Sequence, residues 1–235
     1  MADWAAKRFW KASAVVPEGM GFAIHLDGRP VRSPAKAPLI LPTAALAAAI
    51  AAEWDAQTGV IRPGTMPLTR AANSSIDKVA PLIDAVVDEL AGYGGTDLLC
   101  YRAHGPEALT LRQALAWDPL LAWSADVLGA PLNVTAGVIP VAQPTASLAR
   151  LRGHVAGHSA FQLAGLHDLV AISGSVILAL GVARARLGAD EAFAISRIDE
   201  TWQNEQWGAD AEATAHEALR AEAFRNAGRF FALCG

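Results

Sequence analysis

Two hydrophobic rhythms divide the chain. Near the start, Trp10, Ala12, Ala14 and Val16 alternate with Lys11 and Ser13, and Phe22, Ile24 and Leu26 alternate with Ala23 and His25. A period of two marks half-buried strands. Directly after Leu26, Asp27-Gly28 offers two residues tolerant of positive φ, which predicts a tight hairpin turn. The return strand begins near Val31 and must be an edge or interrupted strand, because Pro30 and Pro34 have no N–H to give to a ladder. Leu39-Ile40-Leu41 reads as one more short strand. Thr43 then supplies an N-cap side chain, and Leu46, Ile50 and Trp54 recur at i, i+4 and i+8 before Gly59, so a helix lies on the hairpin sheet. Glu53, Asp55 and Gln57 occupy its other faces, which leaves the Trp54 indole as the packing anchor.

Past about residue 70 the period becomes helical. Helices are predicted over 68–92, 106–128, 145–158, 161–187, 190–205 and 210–233, with a β-like island at 97–101 and loops over 129–144. Seven of the 13 prolines fall between Pro17 and Pro67, which separates a turn-rich start from a smoother remainder. The predicted fold class is α+β: a small N-terminal domain over 1–75, of short antiparallel strands plus a helix, followed by a mainly helical domain over 76–235. Within the long apolar run, Gly174 and Ser175 read as small residues that let an unbroken helix pack closely.

Composition narrows the function classes. The 235 residues are 53% hydrophobic and 18% charged, enough apolar material for one or two folded cores. The net charge of −4, without a basic run, offers no surface for nucleic acid. Cys100 and Cys234 are far apart and lack CxxC spacing, which argues against a disulfide scaffold, a zinc finger or an iron–sulfur site and suits a reducing compartment. Residues 1–10 lack the apolar core of a secretory signal, and the greasiest segment, 169–183, is interrupted by Ser173, Gly174 and Ser175 and too short to span a bilayer, so no stable membrane insertion is expected.

The usual catalytic signatures are missing. No Gly-Lys pair exists to form a phosphate-binding GxxxxGK[ST] loop, GxGxxG is absent, and Ser173-Gly174-Ser175 only approaches a GxSxG elbow. His154 and His158 are four apart on a predicted helix, with His167 and Asp168 near enough to suggest a three-nitrogen metal site and a metal-dependent hydrolase. Against that stand the absence of HExxH and the helix-weakening Gly153 and Gly157; histidines without a catalytic role are the alternative.

Residues 190–222 are richer in information. Two arginines against nine carboxylates leave a local charge of −7, which fits either a solvated face or a docking surface for a basic partner. On one continuous helix, Ile195, Ile198 and Trp202 would share the buried face and Glu200 would project opposite to it. Trp202 and Trp207 lie among Gln203, Glu205 and Gln206, where an aromatic with a polar handle suits either core packing or an interface.

Several stretches together resemble the assembly chaperones of the F-type ATP synthase, specifically the family that binds the alpha subunit of its soluble catalytic sector. The resemblance rests on Arg8-Phe-Trp-Lys11, Leu26-Asp-Gly-Arg-Pro30 with Pro34 and Lys36, Leu41-Pro-Thr43, Glu53-Trp-Asp-Ala-Gln57 and Met66-Pro-Leu-Thr-Arg70. It continues through Tyr93, Thr96-Asp-Leu-Leu-Cys-Tyr-Arg102, Trp117-Asp-Pro119 and Asp199-Glu-Thr-Trp-Gln203 with Trp207-Gly208, spanning nearly the whole chain. It implies a non-enzymatic holder of the unassembled alpha subunit that needs no cofactor, suppresses aggregation and yields its client to the beta subunit. It also points to the Asp199-Glu200 pair, Glu200 above all, with Gln203 and Trp207, as partner-binding residues, and to Trp54 and Trp202 as structural ones. Mitochondrial members carry an import sequence that is not seen here, so the resemblance implies a bacterial relative acting in the cytoplasm, the counterpart of a matrix protein in eukaryotes.

Overall fold

A computed structural model describes residues 7–235, so the first part of the 1–10 stretch, expected to lack a signal core, lies outside the described residues. The fold class is α+β, with antiparallel strands first and helices after. Contacts group the chain into two compact units. One comprises residues up to Ile83 with Ser159–Gly165 and Arg229–Gly235, and the other Asp84–His158 with Leu166–Gly228.

In the first unit, β1 (Ser13–Glu18) and β2 (Gly21–Leu26) form an antiparallel hairpin, and β3 (Arg29–Pro30) and β4 (Ile40–Leu41) share the other edge of β2. Strand β2 is therefore central, with Ala23, Ile24 and Leu26 buried. The return strand is the two-residue β3, which ends at Pro30 rather than beginning near Val31, because Pro30 has no N–H to extend the ladder; beyond it Arg32 and Pro38 form an isolated bridge. Asp27 and Gly28 turn at φ 48° and 81° between the paired Leu26 and Arg29. Asp27 does more than turn: its carboxylate accepts from the amides of Lys11 and Ala12 at 3.0–3.1 Å, and these bonds hold it below the usual carboxylate range. Gly21 is required by β4, since a Cβ there would lie 2.5 Å from the Leu41 carbonyl oxygen. The predicted alternation fails in both strands: in β1 Ala14 is exposed and the half-buried Ser13 is drawn to Asp55 by a hydroxyl bond of 2.7 Å, and in β2 Ala23 is buried beside Ile24 while Phe22 is half-buried.

Helix α1 (Ala44–Asp55) is capped by Thr43, whose Oγ1 accepts from the Leu46 amide and donates to the Leu233 carbonyl. It ends at Asp55, before Gly59, where the Arg8 guanidinium donates to the last helical carbonyl, Asp55 O, and to Gln57 O just beyond it, at 2.7 Å each. Glu53 reaches out to cap α2 (Pro67–Ser74), accepting from the amides of Leu68 and Thr69 at 2.8 Å and from the Thr69 hydroxyl at 2.7 Å. Gln57, buried, pins the loop through Glu53 O, Thr65 and the Arg62 amide. The Glu53–Gln57 motif is thus a set of hydrogen-bonding joints around one aromatic contact, Trp54 edge-on to Trp10 at 5.3 Å.

The single helix predicted over 68–92 is instead α2, a π turn (Ser75–Val79), a 3-10 turn (Ala80–Leu82) and α3 (Ile83–Gly92). Pro81 has no N–H for the ordinary ladder, and the backbone widens and then tightens around that gap.

The second unit is helical, with α4 (Glu107–Val127), α5 (Thr145–Ala156), the later part of α6 (Ala160–Ser173), α7 (Val176–Ala183), α8 (Ala189–Ser196), α9 (Ile198–Trp207) and most of α10 (Ala211–Leu233). The island at 97–101 is mainly a 3-10 turn (Leu98–Cys100), and only Tyr101–Arg102, β5, is strand, pairing in parallel with β6 (Thr135–Ala136) inside the predicted loop. The run 161–187 is broken: Gly174 adopts φ 72° and ends α6, and Ser175 caps α7 by accepting from the Leu178 amide. These two residues terminate and restart helices rather than allow one to pack closely. Helix α7, with Val176 through Leu180 wholly buried, is the centre of this core.

At its N-terminus sits Asp97, also wholly buried. Its carboxyl accepts from the Ser175 hydroxyl at 3.0 Å, the Ile177 amide at 3.1 Å and the Leu99 amide at 3.0 Å. Burial pushes its pKa up to about 6, against the pull of those hydrogen bonds. Burial likewise pushes the Cys100 and Cys234 thiols up to about 12, which leaves both unreactive.

Candidate partner-binding surface

The acidic segment is two helices, not one. Arg197 interrupts the run predicted over 190–205, so α8 ends at Ser196 and Ile198 opens α9, and Ile195, Ile198 and Trp202 do not lie along one continuous helix. What replaces it is a set of ties to α4. The buried Trp117 indole donates to the Ile195 carbonyl at 3.0 Å, satisfying a backbone group that the break sets free. Gln113, wholly buried in α4, donates to Asp199 at 2.6 Å and accepts from the Ala103 amide at 2.9 Å. Arg112 lies 5.0 Å over the Trp202 ring and makes a bidentate pair with Glu205, 2.9 Å at each oxygen, which holds the Glu205 carboxyl below its usual range.

These contacts sort the expected site residues. Asp199 and Trp202 face α4 and fix α9 in place. Glu200, Gln203 and Trp207 follow at i, i+3 and i+7 and share the outward stripe of the same helix. Gln203 is exposed, and Trp207 is 79% exposed at the helix end, just before Gly208 turns the chain at φ 87°. Glu200 is half-buried rather than fully solvated, because Arg197 folds back to it at 2.8 Å while also reaching Glu217 at 2.8 Å. Asp199→Ala is expected to cost about 1–3 kcal/mol of stability by orphaning the buried Gln113 amide, a loss that urea unfolding followed by far-UV circular dichroism would detect. Trp54 lies in the other unit, against Trp10.

Arg112, Gln113 and Arg197 tie this segment together, and reading the chain alone does not single them out. For the first two, the available signal is a polar Arg-Gln pair inside the mostly apolar 108–123 stretch, whose other polar residues are Thr110 and Asp118. The three histidines are engaged elsewhere. His154 Nε2 donates to the Leu128 carbonyl at 2.9 Å while its Nδ1 accepts from Arg184 at 2.9 Å, His158 contacts the Val155 carbonyl, and His167 sits beside Asp168 and Glu89. Asp168 holds the His167 pKa up by its hydrogen bond. No group of three or more metal-binding side chains occurs among the described residues. Among them too, no helix is long and apolar enough to cross a membrane.

Comparison with known proteins agrees with the motifs. Residues 7–125 match the model of the ATP12 chaperone protein family. The crystal structure of Atp12 from Paracoccus denitrificans is 54% identical, with a TM-score of 0.96 over 99% of this chain and all of that one. The Agrobacterium tumefaciens protein Atu1473, described as a candidate chaperone, is 42% identical, with a TM-score of 0.92 over 96% of this chain and 85% of that one. The mitochondrial protein atp12 of Schizosaccharomyces pombe is 26% identical over 91% of this chain and 78% of its own length. With a family model covering half the chain and a relative of more than half identity over nearly all of it, the chain belongs to the ATP12 family, the assembly chaperones of ATP synthase.

Proposed function

We propose that this chain holds the unassembled alpha subunit of the ATP synthase catalytic sector in the cytoplasm, keeps it from aggregating, and yields it to the beta subunit, making and breaking no covalent bond itself. The observation that carries this reading is the agreement, end to end, with a Paracoccus Atp12 of 54% identity. An orphan subunit of an obligate oligomer exposes apolar surface that aggregates, and a partner that covers it shifts the balance by mass action alone. Glu200, Gln203 and Trp207 are the contact residues in this reading: one aromatic anchor and two polar groups on an outward stripe, with Asp199 and Trp202 holding the stripe in position from behind.

The test is light scattering from chemically unfolded alpha subunit diluted into buffer without nucleotide. Stoichiometric chaperone is expected to suppress it, and adding beta subunit is expected to release the client; no suppression overturns the reading. Glu200→Lys is expected to weaken protection about tenfold while costing no more than about 1 kcal/mol of stability, since the Glu200 side chain is 45% exposed and the mostly buried Arg197 keeps its pair with Glu217. Parallel loss of thermal stability and protection would reassign Glu200 to the fold.

A further inference from the structure

Helix α4 carries a second outward stripe that the α9 surface does not account for. Leu111, Leu115, Pro119 and Ala122 fall within one face at 100° per residue, and all four are exposed, Leu111 by 57% and Leu115 by 71%. Ala114, Leu115, Asp118, Pro119 and Ala122 line a shallow groove there. Two unlinked features set this face apart from scattered surface leucines. Pro119 stands inside the helix, where proline is costly, and having no N–H it leaves the Leu115 carbonyl without its ladder donor. That places a free backbone acceptor between the two leucines and the proline ring. The face is also bounded by acid: Glu107 at one end and Asp126 at the other make no ion pair among the described residues. Asp118 in the middle, paired with Arg102 at 2.7 Å, keeps its side chain 62% exposed. The unit to which α4 belongs holds nine arginines against 17 carboxylates, a formal charge of −8.

We infer that the Leu111–Ala122 face of α4 is a docking groove for an amphipathic polypeptide segment with apolar side chains at helical spacing and Lys or Arg beside them. The leucines and the proline ring receive the apolar side chains, the Leu115 carbonyl accepts from a donor of the segment, and Glu107, Asp118 and Asp126 meet its cations. Charge complementarity selects this occupant over an acidic segment or an anionic lipid surface. The inference rests on the chaperone reading only for the statement that the natural segment belongs to a client; the groove itself is tested without one.

Two labelled peptides of about 18 residues are suitable probes, both with Leu at i and i+4, one carrying Lys and the other Glu at the remaining positions. Fluorescence anisotropy with the whole protein is expected to show binding of the Lys peptide that falls at least about tenfold for the Leu111→Gln, Leu115→Gln double variant, whose charge is unchanged and whose melting temperature stays within about 2 °C. Unaltered binding in that variant, no binding by the wild type, or preference for the Glu peptide overturns the inference. A concentration-dependent dimer abolished by the same two changes would assign the face to a second copy and overturn it as well. Wild-type binding of the Lys peptide, lost in the double variant, in a protein that never protects the alpha subunit would leave the groove standing and remove the client; protection of the alpha subunit by a wild type that binds neither peptide would overturn the groove and leave the chaperone reading.

Discussion

Asp97→Ala is expected to lower the stability of the helical unit by about 4 kcal/mol near pH 5, a large share of what a domain of this kind possesses. The reason is the number of donors that converge on one buried carboxyl. The Leu99 and Ile177 amides and the Ser175 hydroxyl all end there, and Asp97 and Ser175 are sealed from solvent. Alanine leaves three buried donors without this partner, two at the start of α7, the helix around which this core is built, and one in the 3-10 turn at Leu99, and each unpaired group costs about 1–3 kcal/mol. Urea unfolding monitored at 222 nm measures the effect. A wild-type-like midpoint would mean that water enters and replaces the carboxyl.

The pH dependence of that loss has a definite sign. The folded pKa of Asp97, about 6, lies above its ordinary value of 3.8, so its contribution to stability is greatest below 3.8 and is lost as pH rises through about 6. The deficit of the alanine variant is therefore expected to be larger near pH 5 than near pH 7.5. Asp97→Asn keeps one acceptor oxygen and cannot ionise, so it should lose less than alanine and show the same narrowing against the wild type. A deficit that grows with pH would mean that the ionised carboxylate, aided by the helix dipole, is the favoured folded form.

What the chain discloses and what it conceals divide along sequence distance. The Asp27-Gly28 turn and the Thr43 cap are decided within a few residues and stand where the local pattern puts them, whereas the return strand ends at Pro30 instead of beginning near Val31. The breaks at Gly174 and Arg197 are hidden, because an apolar period that continues across a break looks the same as one that does not. Ser175 is ambiguous for a related reason. A small residue suits both a packed helix interior and an N-cap, and its decisive partner, Asp97, is 78 residues away. On α9 the outward grouping of Glu200, Gln203 and Trp207 follows from spacing alone. The inward placement of their neighbour Asp199 depends on Gln113, 86 residues earlier, which no local rule supplies.

Trp54→Arg is expected to unfold the first unit. Trp54 meets Trp10 edge-on at 5.3 Å, Phe9 meets the same Trp10 at 5.2 Å, and the Arg8 guanidinium already stands 5.2 Å from the centre of the Trp10 ring. The Trp54 indole nitrogen is buried without a hydrogen-bond partner, so the side chain serves by its surface and shape alone. Arginine removes that half-buried aromatic surface, a loss of about 2–3 kcal/mol, below that of a fully buried tryptophan, and adds a second cation beside Trp10, where Arg8 already sits. The damage does not stay local, because Arg8 holds the last carbonyl of α1 and that of Gln57 while Glu53 and Gln57, on either side of Trp54, hold α2 and the intervening loop. Limited proteolysis followed by mass spectrometry should therefore find new cleavage before Ile83, together with loss of the near-ultraviolet tryptophan signal. Trp54→Phe is the control: it keeps a six-membered aromatic ring for Trp10 and gives up the fused pyrrole part of the indole, whose nitrogen has no hydrogen-bond partner, so it is expected to cost no more than about 2 kcal/mol. An arginine variant as resistant to protease as the phenylalanine one would show that the motif's hydrogen-bonded joints, not its indole, hold the unit together.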